Sequence, residues 1–157
     1  MASASAGLLL VRRSPRGPEF LLAHPGGPFF ARKDDGAWTI PKGLVEDGEE
    51  TFAAACREFS EETGQPCPTG DFEALGEVKL ASGKRVHAWA VLGDCDANAC
   101  TSNTFELEWP RGSGKTRTFP ELDRFGWFSA DEATKKLNPA QAELIARANA
   151  WLARTEH

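Results

Sequence analysis

Glu58, Glu61 and Glu62 stand at a spacing that a helix turns onto one face. At about 100° per residue the three carboxylates share an arc of about 100°. Phe52, Cys56 and Phe59 fall on a separate arc, which predicts the buried face, and Ala54 and Ala55 leave room beside the carboxylates. A solvated acidic face normally carries lysines one turn away, because like charges at i,i+4 cost a few tenths of a kcal/mol each. Glu58 and Glu62 are such a pair, and no lysine lies on this helix. Two readings fit: a solvated acidic surface, or a site for a hard divalent cation. Magnesium characteristically divides its oxygen ligands between carboxylates and substrate phosphates. The wider segment sharpens the choice, since from Gly43 to Gly64 seven carboxylates accompany a single cation, Arg57.

The order of the residues separates the two readings. Gly43 is followed after five residues by Glu49, and after seven more by Arg57-Glu58-Phe59-Ser60-Glu61-Glu62-Thr63-Gly64. This resembles the signature of the Nudix hydrolases, Gly-x5-Glu-x7-Arg-Glu-U-x-Glu-Glu-x-Gly-U, where U is apolar. Every fixed position matches, and the one departure is Gln65 at the last apolar place. Trp38-Thr-Ile-Pro-Lys-Gly before the box and Glu121-Leu-Asp-Arg-Phe-Gly-Trp-Phe-Ser near the end extend the resemblance over most of the chain.

The resemblance implies a loop–helix–loop holding two or more Mg²⁺, with Mn²⁺ able to substitute, against a pyrophosphate. Glu58, Glu61 and Glu62 would bind the metals, with the Gly43 carbonyl as a further ligand. Arg57 and Glu49 would pair to orient the helix and Glu58. Lys42 is the first phosphate contact to consider, then Arg32 and Lys33, while Trp38, Phe29, Phe30 and Trp109 offer rings for stacking a base. Glu106, Glu108 and Glu121 are candidate bases outside the box. Glu106 and Glu108 are preferred, because they lie in an irregular segment where a substrate-closing loop is expected.

Gly112-Ser-Gly-Lys-Thr116 has Trp109 where a phosphate-binding loop requires its first glycine, so it is read as a flexible basic loop with Arg111 and Arg117. The expected reaction is hydrolysis of the pyrophosphate bond of a nucleoside diphosphate linked to another moiety, as in nucleoside triphosphates or dinucleoside polyphosphates. The alternative is a non-catalytic nucleotide sensor, which is expected to lose box carboxylates that this chain keeps.

Composition sets the frame. The chain has 157 residues, 41% apolar and 26% charged, which fits one folded domain over 1–157, with residues 1–4 expected to be flexible. The net charge is −5, and the acidic segment accounts for it, leaving the rest near neutral. A nucleic-acid duplex binder would carry a broad basic face instead. The four cysteines form no C-x-x-C pair and only three histidines accompany them, so free thiols in a reducing cytoplasm are expected, not a zinc site. MASASAGLLLVRR has too short an apolar run for a secretory leader or a membrane span. The expected partner is a small nucleotide or other diphosphate, with a homodimer as a candidate assembly.

The elements that must position these residues follow from pattern. Gly7 to Arg12 and Glu19 to Ala23 read as hairpin strands around Ser-Pro-Arg-Gly-Pro, and Ala37 to Ile40 as a short strand stopping at Pro41. Glu50 to Thr63 reads as a helix capped by Thr51 or the Asp47-Gly48 turn and ended by Gly64. Phe72 to Leu80 and Arg85 to Leu92 read as paired strands, and Arg124 to Phe128 as another. Residues 94 to 118 are irregular, with one candidate strand at Phe105 to Trp109. Ser129 and Glu132 form a capping box, and Asn138-Pro139 opens the last helix, striped by Leu144, Ala148, Trp151 and Leu152. The expected class is α+β, a Nudix-type α/β/α sandwich with a mixed central sheet.

Overall fold

Strand β1 (Ala4–Ser14) organises the molecule, and its alternation shows how. Ala6, Leu8 and Leu10 pack on one side of the sheet with α1 (Thr51–Thr63), while Leu9 and Val11 pack on the other with α3 (Glu143–Thr155). Two helical layers therefore sandwich one sheet, because a strand buried on both faces needs a cover on each. The computed structural model describes residues 4–155. Ala4 already belongs to β1, and residues 1–3 of the expected flexible terminus lie outside the described residues.

The central sheet has six strands. β1 pairs antiparallel with β2 (Gly17–Pro25) across the predicted turn, and β2 pairs with β8 (Leu122–Ser129). On its other edge β1 runs parallel to β5 (Arg85–Leu92), which pairs antiparallel with β4 (Phe72–Lys79). The sheet is thus mixed, as expected. Sheet pairing at the third predicted strand differs: Trp38 and Thr39 form only single bridges, and the ladder lies beyond Pro41, as β3 (Lys42–Leu44) against Ser5–Gly7. Pro41 cannot donate to a ladder, so pairing resumes at the first residue that can.

Residues 94 to 118 are more ordered than their sequence suggests. A short 3₁₀ turn, Ala97–Ala99, is followed by β6 (Thr104–Glu108) and β7 (Thr116–Pro120), a separate two-stranded hairpin. The capping box opens α2 (Ala130–Lys136), with Ser129 Oγ accepting from the Glu132 N–H. Asn138 opens a 3₁₀ turn at Pro139–Gln141, and α3 begins only at Glu143. Among the described residues all four cysteines are free thiols, and burial pushes Cys56 and Cys100 up to about 12. No described helix is long and apolar enough to cross a membrane.

Candidate active site

Helix α1 lies on β1 through Ala54, Ala55 and Phe59, all fully or almost fully buried. Phe52 and Cys56, expected on the buried face, are only half-buried at its margin. Ala54 and Ala55, expected beside open space, are in the core instead. Their small side chains let the helix approach the sheet closely, and this carries Glu58 inward. Glu58 is only 7% exposed. The predicted cap differs too: the residue before the helix is Glu50, with no side-chain cap bond. Gly64 ends α1 in the left-handed region at φ 71°, its N–H bonded to Ser60 O.

The carboxylate of Glu58 rests against the backbone of Gly43 in β3. A Cβ on Gly43 would come within 1.9 Å of Glu58 Oε2, so only glycine leaves this cradle open. Arg57 then gathers the neighbouring acids. Its Nε and Nη2 donate to Glu49 Oε2 and Oε1 at 2.8 and 2.9 Å, a two-pronged pair. Its Nη1 donates to Glu58 Oε1 at 2.8 Å and Glu61 Oε2 at 3.0 Å, and Nη2 reaches Leu44 O at 3.1 Å. The bond to Arg57 holds Glu49 down at about 2. The same bond raises Arg57 further. Burial raises Glu58 despite its bond to Arg57.

Among the described residues Glu62 has no such partner. Burial, then the charges of Glu58, Glu121 and Glu61, push it up to about 7, against relief only from Lys42. Lys42 is itself lowered by burial and by Lys84, with Glu62 and Glu58 opposing. The counter-charge missing from α1 thus comes from Lys42 on β3, and Lys84 lies close enough to act on Lys42. Lys84 went unnoticed in the sequence because nothing marks it there. It stands just before Arg85, and the parallel pairing of β5 with β1 brings it to this end of the sheet.

Glu121 is the carboxylate outside the box that reaches Glu62. Its N–H donates to Asn103 O at 2.8 Å, and its carbonyl accepts from the Gly26 N–H at 2.9 Å, so the backbone fixes it. Glu106 and Glu108, preferred from sequence, lie on β6 and are exposed, and Glu108 Oε1 accepts from the Gly112 N–H at the hairpin turn. Ladder pairing replaces the mobile loop on which that preference rested.

The remaining expected contacts divide. Trp38 is 5% exposed, packed edge-on to His24 and Phe128 with Nε1 donating to Asp34, so it serves the core and not a stacking surface. Arg32 is exposed in the turn after Phe29, and no described hydrogen bond or ion pair ties it to the carboxylates. His24, unremarked in the sequence, is fully buried, with Nε2 2.6 Å from Lys33 O and Nδ1 2.7 Å from Asp123 Oδ1. A carbonyl only accepts, so Nε2 is the donor to Lys33 O. This pair fastens β2 and the 26–39 loop to β8, two residues from Glu121.

The donor set suits a magnesium ion: hard oxygens, several carboxylates, and in Glu62 a half-buried acid lacking a strong cationic partner. Among the described residues no three candidate ligands already converge on one point, since Arg57 draws Glu58 and Glu61 toward itself.

Comparison with known proteins decides the family. The NUDIX domain model matches residues 2–148. The chain belongs to the Nudix family. Among curated Nudix relatives, Nudix hydrolase 10 of Arabidopsis thaliana is 66% identical over 29 residues, 18% of this chain and 10% of that protein. The RNA pyrophosphohydrolase of Novosphingobium aromaticivorans is 59% identical over 32 residues, 20% of each. The match thus spans a fifth or less of those relatives. Solved structures share the Nudix fold over nearly the whole chain. A C. elegans Ap4A hydrolase binary complex gives a TM-score of 0.67 at 23% identity, covering 98% of this chain and 99% of that one. The NUDIX domain of Shewanella oneidensis NrtR with ADP ribose gives 0.66 at 19%, covering 97% and 89%.

Proposed function

We propose that this protein is a Mg²⁺-dependent pyrophosphohydrolase, able to use Mn²⁺, that cleaves the pyrophosphate bond of a nucleoside diphosphate linked to a further moiety. Nucleoside triphosphates and dinucleoside polyphosphates are the substrate types that fit. The reading rests on one observation: Glu58 in the Gly43 cradle, with Glu61, Glu62 and Glu121 gathered near it, Lys42 as the cation that relieves Glu62, and Lys84 near Lys42. Mg²⁺ held by Glu58, Glu61, Glu62 and the Gly43 carbonyl would neutralise the diphosphate and lower the pKa of an attacking water.

The chain's own groups do the rest. Arg57 holds Glu58 and Glu61 in place while itself anchored by Glu49. The Lys42 and Lys84 ammonium groups orient the phosphate oxygens. A Glu121 carboxylate oxygen, exposed beside Glu62, accepts the proton of the attacking water. Water adds to phosphorus, the P–O–P bond breaks, and two phosphate-terminated products leave.

A panel of nucleotides incubated with Mg²⁺ in ¹⁸O-water tests this. Label on a phosphate product, abolished by chelator, is expected. Undiminished turnover in excess EDTA, or label on carbon, overturns the reading.

A further inference from the structure

The β6–β7 hairpin stands outside the central sheet, and the chemistry above gives it no task. Its register sorts its side chains by charge. Phe105 faces Phe119, Leu107 faces Arg117, and the Trp109 N–H donates to Lys115 O at 2.9 Å, which continues the same register. Alternation places these six residues on one face. Glu106 and Glu108 fall on the other, opposite Thr118 and Thr116. Opposite charges set directly across a ladder stabilise a hairpin, and this hairpin forgoes that arrangement. Its carboxylates face threonines and its cations face apolar rings and chains. Among the described residues Arg111, Lys115 and Arg117 form no ion pair. The cations are thus free on an aromatic surface.

The 26–30 loop completes that surface. Phe29 is 51% exposed and meets Trp109 edge-on, with centroids 5.5 Å apart. In an edge-on pair at least one ring keeps both faces clear of the other, which suits a planar ligand. Gly27 lies against Phe105, where a Cβ would come within 2.9 Å of the ring. The same loop ties the hairpin to the catalytic end, since the Gly26 N–H donates to the carbonyl of Glu121.

We propose that the hairpin's aromatic and basic face, with Phe29, binds a nucleotide moiety beyond the bond that is cleaved. A nucleobase stacks on Trp109 and Phe29, and its phosphate meets Lys115 and Arg117. This inference rests on the hydrolase reading and narrows it to substrates with a second nucleotide, the dinucleoside polyphosphates. A nucleoside triphosphate occupies the box and leaves this face empty.

The test is equilibrium binding in EDTA, where no turnover occurs, of diadenosine tetraphosphate and of tripolyphosphate as a base-free control. Trp109→Ala should weaken diadenosine tetraphosphate about tenfold, the worth of one stacked base, and leave tripolyphosphate unchanged. Arg117→Glu and Lys115→Glu, both at exposed positions, should each weaken diadenosine tetraphosphate without lowering the melting temperature. Glu106→Gln, on the opposite face, should bind as the natural chain does. Equal losses for both ligands in Trp109→Ala, or none in any variant, overturn the proposal. Binding as expected without hydrolysis in Mg²⁺ upholds this surface while overturning the hydrolase reading.

Discussion

Glu62 is the side chain whose charge the fold resists. Folded, it keeps its proton up to about 7; unfolded, it releases it near the ordinary 4.5. Between those values the folded chain binds more protons, so stability falls as pH rises through the window. Glu49 acts oppositely and lower, stabilising above 4.5 and losing that contribution as pH falls toward about 2. Melting temperatures in chelator from pH 4 to 8 should therefore decline between about pH 4.5 and 7 by a few degrees. Glu62→Gln should flatten the decline, melt no lower than the natural chain at pH 7, and lose turnover about a hundredfold or more in Mg²⁺. A steeper decline in the variant would refute this account of Glu62.

Gly43→Ala is expected to keep the fold while displacing the Glu58 carboxylate, so turnover should drop about a hundredfold with little change in melting. Arg57→Ala should lower both, by about 1–3 kcal/mol in stability, since Glu49 and Glu58 lose their shared cation. A Gly43→Ala chain with normal kinetics would remove the cradle from the argument. The box acids and the Arg57–Glu49 pair were legible in sequence because they lie within one turn-and-helix unit. Glu121 was named but ranked below Glu106 and Glu108, and Lys84 and His24 went unremarked, since their surroundings depend on strand order.

At the scale of elements, the helix expected over 50–63 and the strands expected over 72–80 and 85–92 match the observed ones to within one residue. The expected buried face of α1 holds at Phe59 but lay too far toward Phe52 and Cys56, because aromatic side chains drew it there. Close approach is achieved by the smallest residues instead. Ala55→Leu should accordingly cost about 1–3 kcal/mol by overpacking. It should also lift Glu58 off Gly43, so turnover falls more than Ala53→Leu, an exposed control, would cause. Equal activity in the two variants would show that the helix can shift without moving its carboxylate. Of the hairpin over 104–120 the sequence reading found one strand, at Phe105 to Trp109, and missed its partner, because glycines, serines and prolines punctuate the tip and threonines fill the outer face. The alternation Phe105, Leu107, Trp109 was the signal present.

For the molecule as a whole, the proposed function makes folding and metal binding share the same carboxylates. Mg²⁺ at about a hundredfold above its dissociation constant should add about 2.7 kcal/mol, or roughly 5–10 °C of melting temperature in a chain this size. Glu58→Gln should abolish most of that gain; an unchanged gain would place the ion elsewhere. The sandwich itself was readable from alternating periodicities, whereas the strand order was not, since no local pattern specifies that β1 joins β5.

That junction also has a timetable. One edge of β1 is satisfied by β5 along its length, while the other is divided between β3 and β2. During synthesis roughly 80 further residues must be added before Arg85 exists, which at about 5–20 residues per second takes roughly 4–16 s. Throughout that interval Leu8, Leu9 and Leu10 emerge on a strand with one bare edge, a template for a neighbouring nascent chain. Ribosomes crowded on one message would bring such edges together, so slower decoding between Ser14 and Arg85 should raise the insoluble fraction of newly made protein.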